Sequence, residues 1–331
     1  MIWAALVAMG LALGSYPVTE IATQLVIATF GSSYGFQQTL VLAAPLVLTG
    51  TAVAVAMRMN IWNVGGEGQF YFGALAAAAV GLFLPHGPSW IMLPLMALAA
   101  AAAGALWILI PALGRAYKGI SEIITTLLLS FVASYLVAYL GTGPWRDPLV
   151  PSEVATERII YELPAFADGA HLGIPIAVTC SVLIGLFLRY SKWGYETVIA
   201  GANRDAAVYA GIPLQRRVIQ LMLISGAFAG LAGMIEVTGV VHRLQGGMSN
   251  QYGALGIPIA AVADGSITGV IIAAFFFAVL LNMGISLQIY GLSVQSVLGI
   301  AGLLLFIIAL AEAAARFSLH REPVAHGAGD L

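Results

Sequence analysis

Long stretches without a charged side chain are the feature of this sequence that most restricts its fold. Only 8% of the 331 residues are Asp, Glu, Lys or Arg, whereas soluble domains carry about a quarter. A helix needs roughly 20 apolar residues to cross a bilayer core about 30 Å thick. Seven stretches meet or approach that length and predict an all-α polytopic membrane protein: residues 21–57, 68–114, 123–145, 169–188, 218–235, 244–263 and 265–311.

Prolines, glycines and charge clusters divide these stretches into about ten predicted spans. The Pro-His-Gly-Pro segment at 85–88 separates two spans, and residues 282–291 separate two more. Residues 253–264 are too few to cross a bilayer alone and include Pro258, which predicts an interrupted or re-entrant helix. The predicted spans are 2–16, 39–57, 67–84, 90–111, 121–141, 172–190, 218–240, 253–264, 267–284 and 294–312.

The positions of Lys and Arg predict the orientation of the chain. Ten spans put both termini on one side, and with the termini in the cytoplasm ten of the 13 basic residues face inwards, as the positive-inside rule requires. Residues 1–315 then form one transmembrane domain, with 194–212 cytoplasmic and 142–171 external. The segment 2–16 is interpreted as a first span because no Lys or Arg precedes it and no clear signal-peptide cleavage site follows. The polar tail, 316–331, is predicted to be disordered in the cytoplasm.

Several classes of function are disfavoured by the sequence. It contains no GxxxxGK[ST] loop for ATP phosphates and no GxSxG or HExxH motif. Its five histidines lack metal-ligand spacing, its single cysteine, Cys180, lies in an apolar stretch, and its net charge of −2 offers no basic surface for nucleic acid. We therefore predict no catalytic, cofactor or metal site in this chain.

The first polar stretch, NIWNVGGEGQ, occupies residues 60–69 between two predicted spans. Its glycines favour a tight turn, and Glu67 stands where the next helix begins. The positive end of that helix favours a carboxylate cap, although contact with a transported solute or a gating role is an open alternative. The candidate path residues here are Asn60, Asn63, Glu67 and Gln69.

The second polar stretch lies within the predicted span 121–141. Polar side chains recur there every three to five residues and therefore share one face of the helix. In lipid such a face must contact another helix or an aqueous route, and both interpretations stay open. The candidate path residues are Glu122, Thr125, Thr126, Ser130 and Ser134.

The third stretch, Gly194 to Ile212, is predicted to form two short helices in the cytoplasm. Residues 201–203 separate them, and Gly211 followed by Pro213 ends the second. Such a segment is either a solvated loop or a short helix that docks into a groove on a partner.

In this order, these stretches resemble the permease subunits of ATP-binding-cassette (ABC) importers for simple sugars, nucleosides and branched-chain amino acids. That group shows an N-(I/L)-W-N-(I/V)-G-A-E-G-Q turn, in which Gly66 here replaces the alanine, and a G-x-x-E-I-(I/V)-T-T segment, matched from Gly119 to Thr126. It also shows the Gly-Tyr-Glu loop matched at 194–212 and an L-I-S-G-A-x-A-G-L-A-G motif, matched at 223–233. The resemblance extends over about residues 39–312.

The resemblance implies partners and roles beyond those that spacing indicates. It implies a prokaryotic inner-membrane complex of two permease chains in lipid, an extracytoplasmic substrate-binding protein, and an ATP-binding subunit that holds ATP and Mg. The 194–212 loop would couple this chain to that ATP-binding subunit. The residues that match the coupling motif are Glu196, Gly201, Asn203, Asp205, Ala206, Ala207, Tyr209 and Gly211.

Within this group, Gly-Pro-Trp-Arg-Asp-Pro at 143–148 resembles the nucleoside-type branch and predicts import of a nucleoside or a related purine or pyrimidine compound. One departure is Ala-Asp-Gly-Ser at 263–266, where relatives commonly carry a basic residue and His-Pro. The alternatives are a pentose or hexose as the solute, or a secondary carrier that works alone.

Overall fold

The computed structural model of the protein describes residues 23, 26–27, 29–149, 154–167 and 169–287. Residues 32–279 form one compact unit. A second unit comprises 1–31 and 280–331, of which 23, 26–27, 29–31 and 280–287 are described. The predicted spans 2–16 and 294–312 and the predicted tail 316–331 lie outside the described residues.

The described chain is mainly helical, with a few residues in strands. A π-helical turn, Val237–Val241, continues directly from the eighth helix. In chain order the elements are α1 (Ser33–Met57), α2 (Gly66–Phe83), α3 (Ser89–Lys118), α4 (Glu122–Thr142), β1 (Ala165–Ala167), β2 (Ala170–His171), α5 (Gly173–Tyr190), α6 (Lys192–Ala202), α7 (Arg204–Tyr209), α8 (Leu214–Glu236), α9 (Tyr252–Val262) and α10 (Ile267–Leu287).

Eight of the predicted spans coincide with described helices. Six helical segments are long and apolar enough to cross a bilayer: Ser33–Met57, Ser89–Lys118, Glu122–Thr142, Gly173–Tyr190, Leu214–Val241 and Ile267–Ser286. These segments support the prediction of a helical, multi-pass membrane protein. The total of ten spans and the side of each terminus stay predictions.

The helix α9 has half the length of a span, as its sequence predicted. Its 11 residues rise only about 16 Å, roughly half the thickness of the hydrocarbon core. Glycines set it closely against α1 and α2, because a Cβ on Gly256 would lie 2.7 Å from the carbonyl oxygen of Thr49 and a Cβ on Gly66 would lie 2.9 Å from that of Gly253. The first half of this short helix is therefore packed closely against protein.

Small residues bring α8 into backbone contact with α3. A Cβ on Gly230 would overlap the carbonyl oxygen of Ala100, and a Cβ on Gly104 would overlap that of Gly226. Helices in lipid associate through such packing because water no longer drives their apolar faces together. The glycines of the L-I-S-G-A-x-A-G-L-A-G motif at 223–233 therefore serve helix packing.

The predicted external loop departs from the all-α prediction. Strands β1 and β2 form an antiparallel hairpin, with Ala165 opposite His171. The preceding segment pairs with the chain after α8, since the backbone N–H of Thr156 donates to Leu244 O at 2.9 Å and that of Ile159 to His242 O at 2.7 Å. Backbone polar groups in a long loop must find partners, and here a neighbouring loop supplies them.

Candidate translocation path and coupling segment

Asn63 and Gln69, from the first polar stretch, lie in one buried hydrogen-bond network. Asn63 Nδ2 donates to Gln69 Oε1 at 2.7 Å and to Ser225 Oγ at 2.8 Å. Its Oδ1 accepts from Gln69 Nε2 at 2.8 Å and from the backbone N–H of Gly65 at 3.0 Å. Ser225 donates in turn to the carbonyl oxygen of Ala52 at 2.6 Å. The network joins α1, the turn before α2, and α8.

Glu67 lies where the N-termini of two helices meet. It stands in the first turn of α2, and its carboxylate accepts from the Gly253 backbone N–H in α9 at 3.0 Å and from the Ser249 hydroxyl. The positive ends of both helix dipoles stabilise a carboxylate at this position. The capping role predicted for Glu67 therefore extends to a second helix, in which the donor Gly253 lies 186 residues later in the chain. Its contact with a solute stays a prediction.

Three members of the polar stripe on α4 are buried within the bundle. The Glu122 carboxylate pairs with Arg115 Nε at 3.3 Å. Ser130 Oγ accepts from the Gly68 backbone N–H at 3.2 Å and donates to the Thr126 carbonyl at 3.1 Å. These contacts hold α4 against α2 and against the end of α3.

The other two members of the stripe, Thr125 and Ser134, are only half-buried. The Thr125 hydroxyl donates to the carbonyl of Ser121 in the preceding turn at 3.0 Å. In the described chain the stripe thus takes part in helix packing, which was one of its two interpretations. A pathway role for its members stays a prediction.

Asn60 contacts the predicted coupling segment instead of the network around Asn63. It has a left-handed backbone, with φ of 53°, and its Nδ2 donates to the Gly201 carbonyl at 2.7 Å. A Cβ on Gly201 would overlap the carbonyl oxygen of Arg58, so the two segments lie in direct contact. The first and third polar stretches therefore meet at the end of α1.

Glu196 holds α6 against the start of α8. Its carboxylate accepts from Arg217 Nε at 2.7 Å, also pairs with the Arg217 Nη2, and lies 3.9 Å from Lys192 Nζ. The side chains of Glu196 and Arg217 are 13% and 18% exposed, so water screens this pair less than an exposed pair. Trp193 Nε1 adds a hydrogen bond to Gln220 at 2.8 Å.

Both ends of α7 are closed by local hydrogen bonds. Asn203 Oδ1 accepts from the Ala206 N–H at 3.0 Å and caps the N-terminus. At the other end Gly211 has φ of 73°, its N–H donates to Val208 O at 3.0 Å, and the Ile212 N–H donates to Ala207 O at 2.9 Å. This is a Schellman motif. The predicted pair of short helices, ending at Gly211, is present.

Most of α7 faces outwards, but one coupling candidate does not. Asp205 and Ala206 are exposed, and Val208 and Tyr209 are 60% and 96% exposed. Ala207 is fully buried in an apolar cluster with Ile212 and Leu214. Ala207 thus anchors α7 to its own chain, and the surface open to a partner comprises Asp205, Ala206, Val208 and Tyr209.

Sequence reasoning missed several residues that complete these contacts. Ser225 is a polar residue between apolar and small neighbours in a predicted span, and such a residue indicates a polar contact. Ser249, which bonds Glu67, lies in a loop between α8 and α9 and carries no such signal. Arg217 was recognised only as part of the basic side of the chain.

Two titratable groups of the predicted external region have altered pKa values. Arg158 Nη2 donates to Glu162 Oε1 at 2.8 Å and lowers the pKa of that carboxyl. His171 is 5% exposed, and burial, with a smaller contribution from His242, lowers its pKa to about 4. His171 Nδ1 accepts from the Gly173 N–H at 3.1 Å. His171 is therefore neutral at neutral pH.

Among the described residues, no group of three or more His, Cys, Asp or Glu side chains is arranged to hold a metal ion. The polar contacts found are those that join helices, cap their ends and fix α6 and α7.

Comparison with known proteins identifies the class to which this bundle belongs. Residues 35–309 match the family described as branched-chain amino acid transport system / permease component. The chain belongs to this family, whose match covers both the bundle and the α6–α7 segment. It is a multi-pass membrane protein and a permease of the ABC transporter type.

The individual relatives are ABC transporter permeases that are named for different solutes. The chain is 37% identical over 277 residues to a glucose ABC transporter permease of Haloferax volcanii, covering 80% of this chain and 72% of the relative. It is 34% identical over 251 residues to a guanosine ABC transporter permease of Bacillus subtilis, covering 74% and 72%. A nucleoside ABC transporter permease of Lactococcus lactis is 27% identical over 298 residues, covering 86% and 82%. No solved structure matches the chain.

Proposed function

We propose that this chain is one of two permease subunits of an ATP-driven importer for a nucleoside or a related purine or pyrimidine compound. It lies in the inner membrane of a prokaryote. An extracytoplasmic binding protein delivers the solute, and a separate subunit binds Mg and hydrolyses ATP. The two relatives described as guanosine and nucleoside permeases support this choice of solute.

The observation that carries the proposal is the shape of α7. A helix of six residues cannot maintain itself in water, yet α7 is closed at both ends and anchored by the buried Ala207. The side chains of Val208 and Tyr209 on this helix are largely exposed. A rigid, partly apolar projection fits a groove on a partner protein better than it fits a solvated loop.

The test is recovery of the ATP-binding subunit with the purified permease. Ala206→Arg places a charge on the outer face of α7, and Tyr209→Ala removes its most exposed ring. Loss of one aromatic anchor costs about 2 kcal/mol, or roughly 30-fold in affinity. We expect both variants to insert at normal abundance but to lose the ATP-binding subunit and ATP-driven uptake.

Tyr139→Ala is the matched control, because Tyr139 is 64% exposed but lies on α4. Its complex should keep the ATP-binding subunit. Ala207→Arg is unsuitable, since an arginine at this buried position would unfold α7 itself. Normal subunit recovery with both α7 variants would contradict the coupling role.

The relative described as a glucose permease favours a second candidate solute, a simple sugar. A thermal-shift screen of the cognate binding protein against nucleosides, nucleobases, pentoses and hexoses distinguishes the two. Stabilisation by guanosine and related nucleosides, with no response to sugars, is the expected result. Stabilisation by sugars, with no response to nucleosides, would indicate that the transporter imports a sugar by the same mechanism.

A further inference from the structure

Glu236, at the end of α8, is a buried acid without a hydrogen-bonding partner for one of its oxygens. Its side chain is 2% exposed, and its Oε2 contacts no donor in the described chain. Leaving such a group unpaired in an apolar interior is costly. Polar groups in this position inside membrane proteins usually serve solutes or ions.

Aromatic side chains pack near the end of α8 that carries Glu236. Gly233, one turn before Glu236, lies against Phe70, because a Cβ on Gly233 would overlap the Phe70 carbonyl oxygen. The Tyr252 ring packs against Phe70 at a centroid distance of 6.0 Å, and Tyr71 interacts with Ser249.

Helices α2 and α8 and the start of α9, which carry Glu67, Glu236 and Tyr252, thus pack together around Phe70. Each of the two acids comes from a different helix, and only Glu67 has its oxygens occupied, by Ser249 and Gly253.

The backbone around the cluster is irregular. The π-helical turn Val237–Val241 follows Glu236 directly, and π-bulges often occur at functional sites. The loop from there to α9 holds three non-glycine residues with positive φ, namely His242, Asn250 and Gln251. Solute sites of transporters often lie where helices are interrupted.

We propose that Glu236 and Tyr252 bind the hydroxyl groups of a sugar ring during passage of the solute. The Glu236 carboxyl exchanges hydrogen bonds with ring hydroxyls, and the Tyr252 phenol donates or accepts one more. The ring is the part that nucleosides and simple sugars share, so the site is compatible with relatives of both kinds. This inference rests on the proposed function and adds the chemical group that the permease recognises.

The experiment uses the complete transporter, with its binding protein and ATP-binding subunit, in proteoliposomes. ATP-driven uptake is compared for guanosine and 2′,3′-dideoxyguanosine, which lacks the ring hydroxyls. The binding protein is identical in every sample, so a change in the ratio of the two rates reports on the permease. We expect Glu236→Gln to slow guanosine uptake about tenfold and dideoxyguanosine uptake less than twofold.

Three further variants make the outcome specific. Glu236→Asp retains the carboxylate and should recover part of the preference for guanosine. Tyr252→Phe removes one hydroxyl, retains the ring, and should also reduce the preference for guanosine. This variant tests the site even if Glu236→Gln disturbs assembly of the transporter. Glu157→Gln is the same exchange at an exposed residue and should leave both rates unchanged.

Equal loss of both solutes in Glu236→Gln and Tyr252→Phe, or no loss in either, would overturn the site while leaving the proposed function intact. Glucose and 2-deoxyglucose form a parallel arm that separates a sugar solute from a nucleoside. A wild-type transporter that carries neither guanosine nor glucose would overturn the proposed substrate class and the site together.

Discussion

At the scale of single residues, His171 shows how burial sets the pH response of this protein. Its imidazole is enclosed by Gly173 and Gly239, where a Cβ would be within 2.6 Å of ring atoms, and its Nε2 has no hydrogen-bonding partner in the described chain. Protonation would place a charge in this enclosure. The folded protein therefore resists protonation until about pH 4, whereas the unfolded chain accepts the proton near pH 6.5.

We predict that stability falls as the pH is lowered from 6.5 towards 4. In this window the unfolded state binds one more proton at residue 171, which costs the folded state about 1.4 kcal/mol per pH unit. His171→Leu should remove this contribution, so that its thermal unfolding midpoint in detergent depends less on pH than that of the wild type. The exchange His86→Leu, at an exposed position, is the control. A variant and a wild type with parallel pH profiles would refute the prediction.

Sequence alone located the polar residues well but not their partners. Glu67 was placed at the start of a helix by the preceding glycines, but Ser249 and Gly253 are 182 and 186 residues away in the chain, and no local pattern encodes that contact. The coupling motif at 194–212 predicted contact with a partner subunit. It did not predict that Ala207 faces its own chain while Ala206 faces outwards, because a helix of six residues has too few turns to define an apolar face.

At the scale of elements, the length of α7 depends on the left-handed residue at its end. No atom lies within 4 Å of a Cβ built on Gly211, so a side chain there is opposed by backbone strain and not by a clash. That strain is about 1–2 kcal/mol for a residue with a Cβ. The last turn of a helix of six residues makes too few contacts to offset this strain.

We therefore predict that Gly211→Val frays α7. Trypsin should cut more rapidly at Arg204 in the variant than in the wild type, and recovery of the ATP-binding subunit should fall. Gly211→Asn is the matched comparison, since asparagine adopts the left-handed conformation with less strain. Equal cleavage rates in the valine and asparagine variants would show that the Schellman motif is not what fixes the helix.

At the scale of the whole molecule, the orientation in the membrane is the prediction with the widest consequences. The distribution of basic residues predicts that α7 lies in the cytoplasm and that the loop containing Glu157 lies outside. In a Cys180→Ala background, Asp205→Cys and Glu157→Cys put single thiols on exposed side chains at these two places. We expect an impermeant maleimide added outside intact cells to label the cysteine at position 157 and not the one at position 205.

Ala207→Cys, at a fully buried position, serves as the negative control and should stay unlabelled from either side. Labelling of position 205 from outside would reverse the topology and would remove α7 from any cytoplasmic partner.

The larger architecture was predictable because each span carries its own signal, the absence of charge over about 20 residues. Eight predicted spans were found as helices on that basis, and the short α9 was recognised from its length and Pro258. The pairing of the predicted external loop with the chain after α8 was not predictable, because backbone hydrogen bonds between two irregular segments do not depend on residue type.

The convergence of α2 and α9 on Glu67 has a consequence for biogenesis. The 11 residues of α9 are too few to enter a bilayer as an independent unit during synthesis. The carboxylate of Glu67 has no protein donor until Ser249 and Gly253 have been made. We therefore expect the start of α2 to stay hydrated while six further helices, α3 to α8, leave the ribosome, and water to be expelled from around Glu67 only after that. Maturation of this protein should include a late, cooperative closing step that follows membrane insertion.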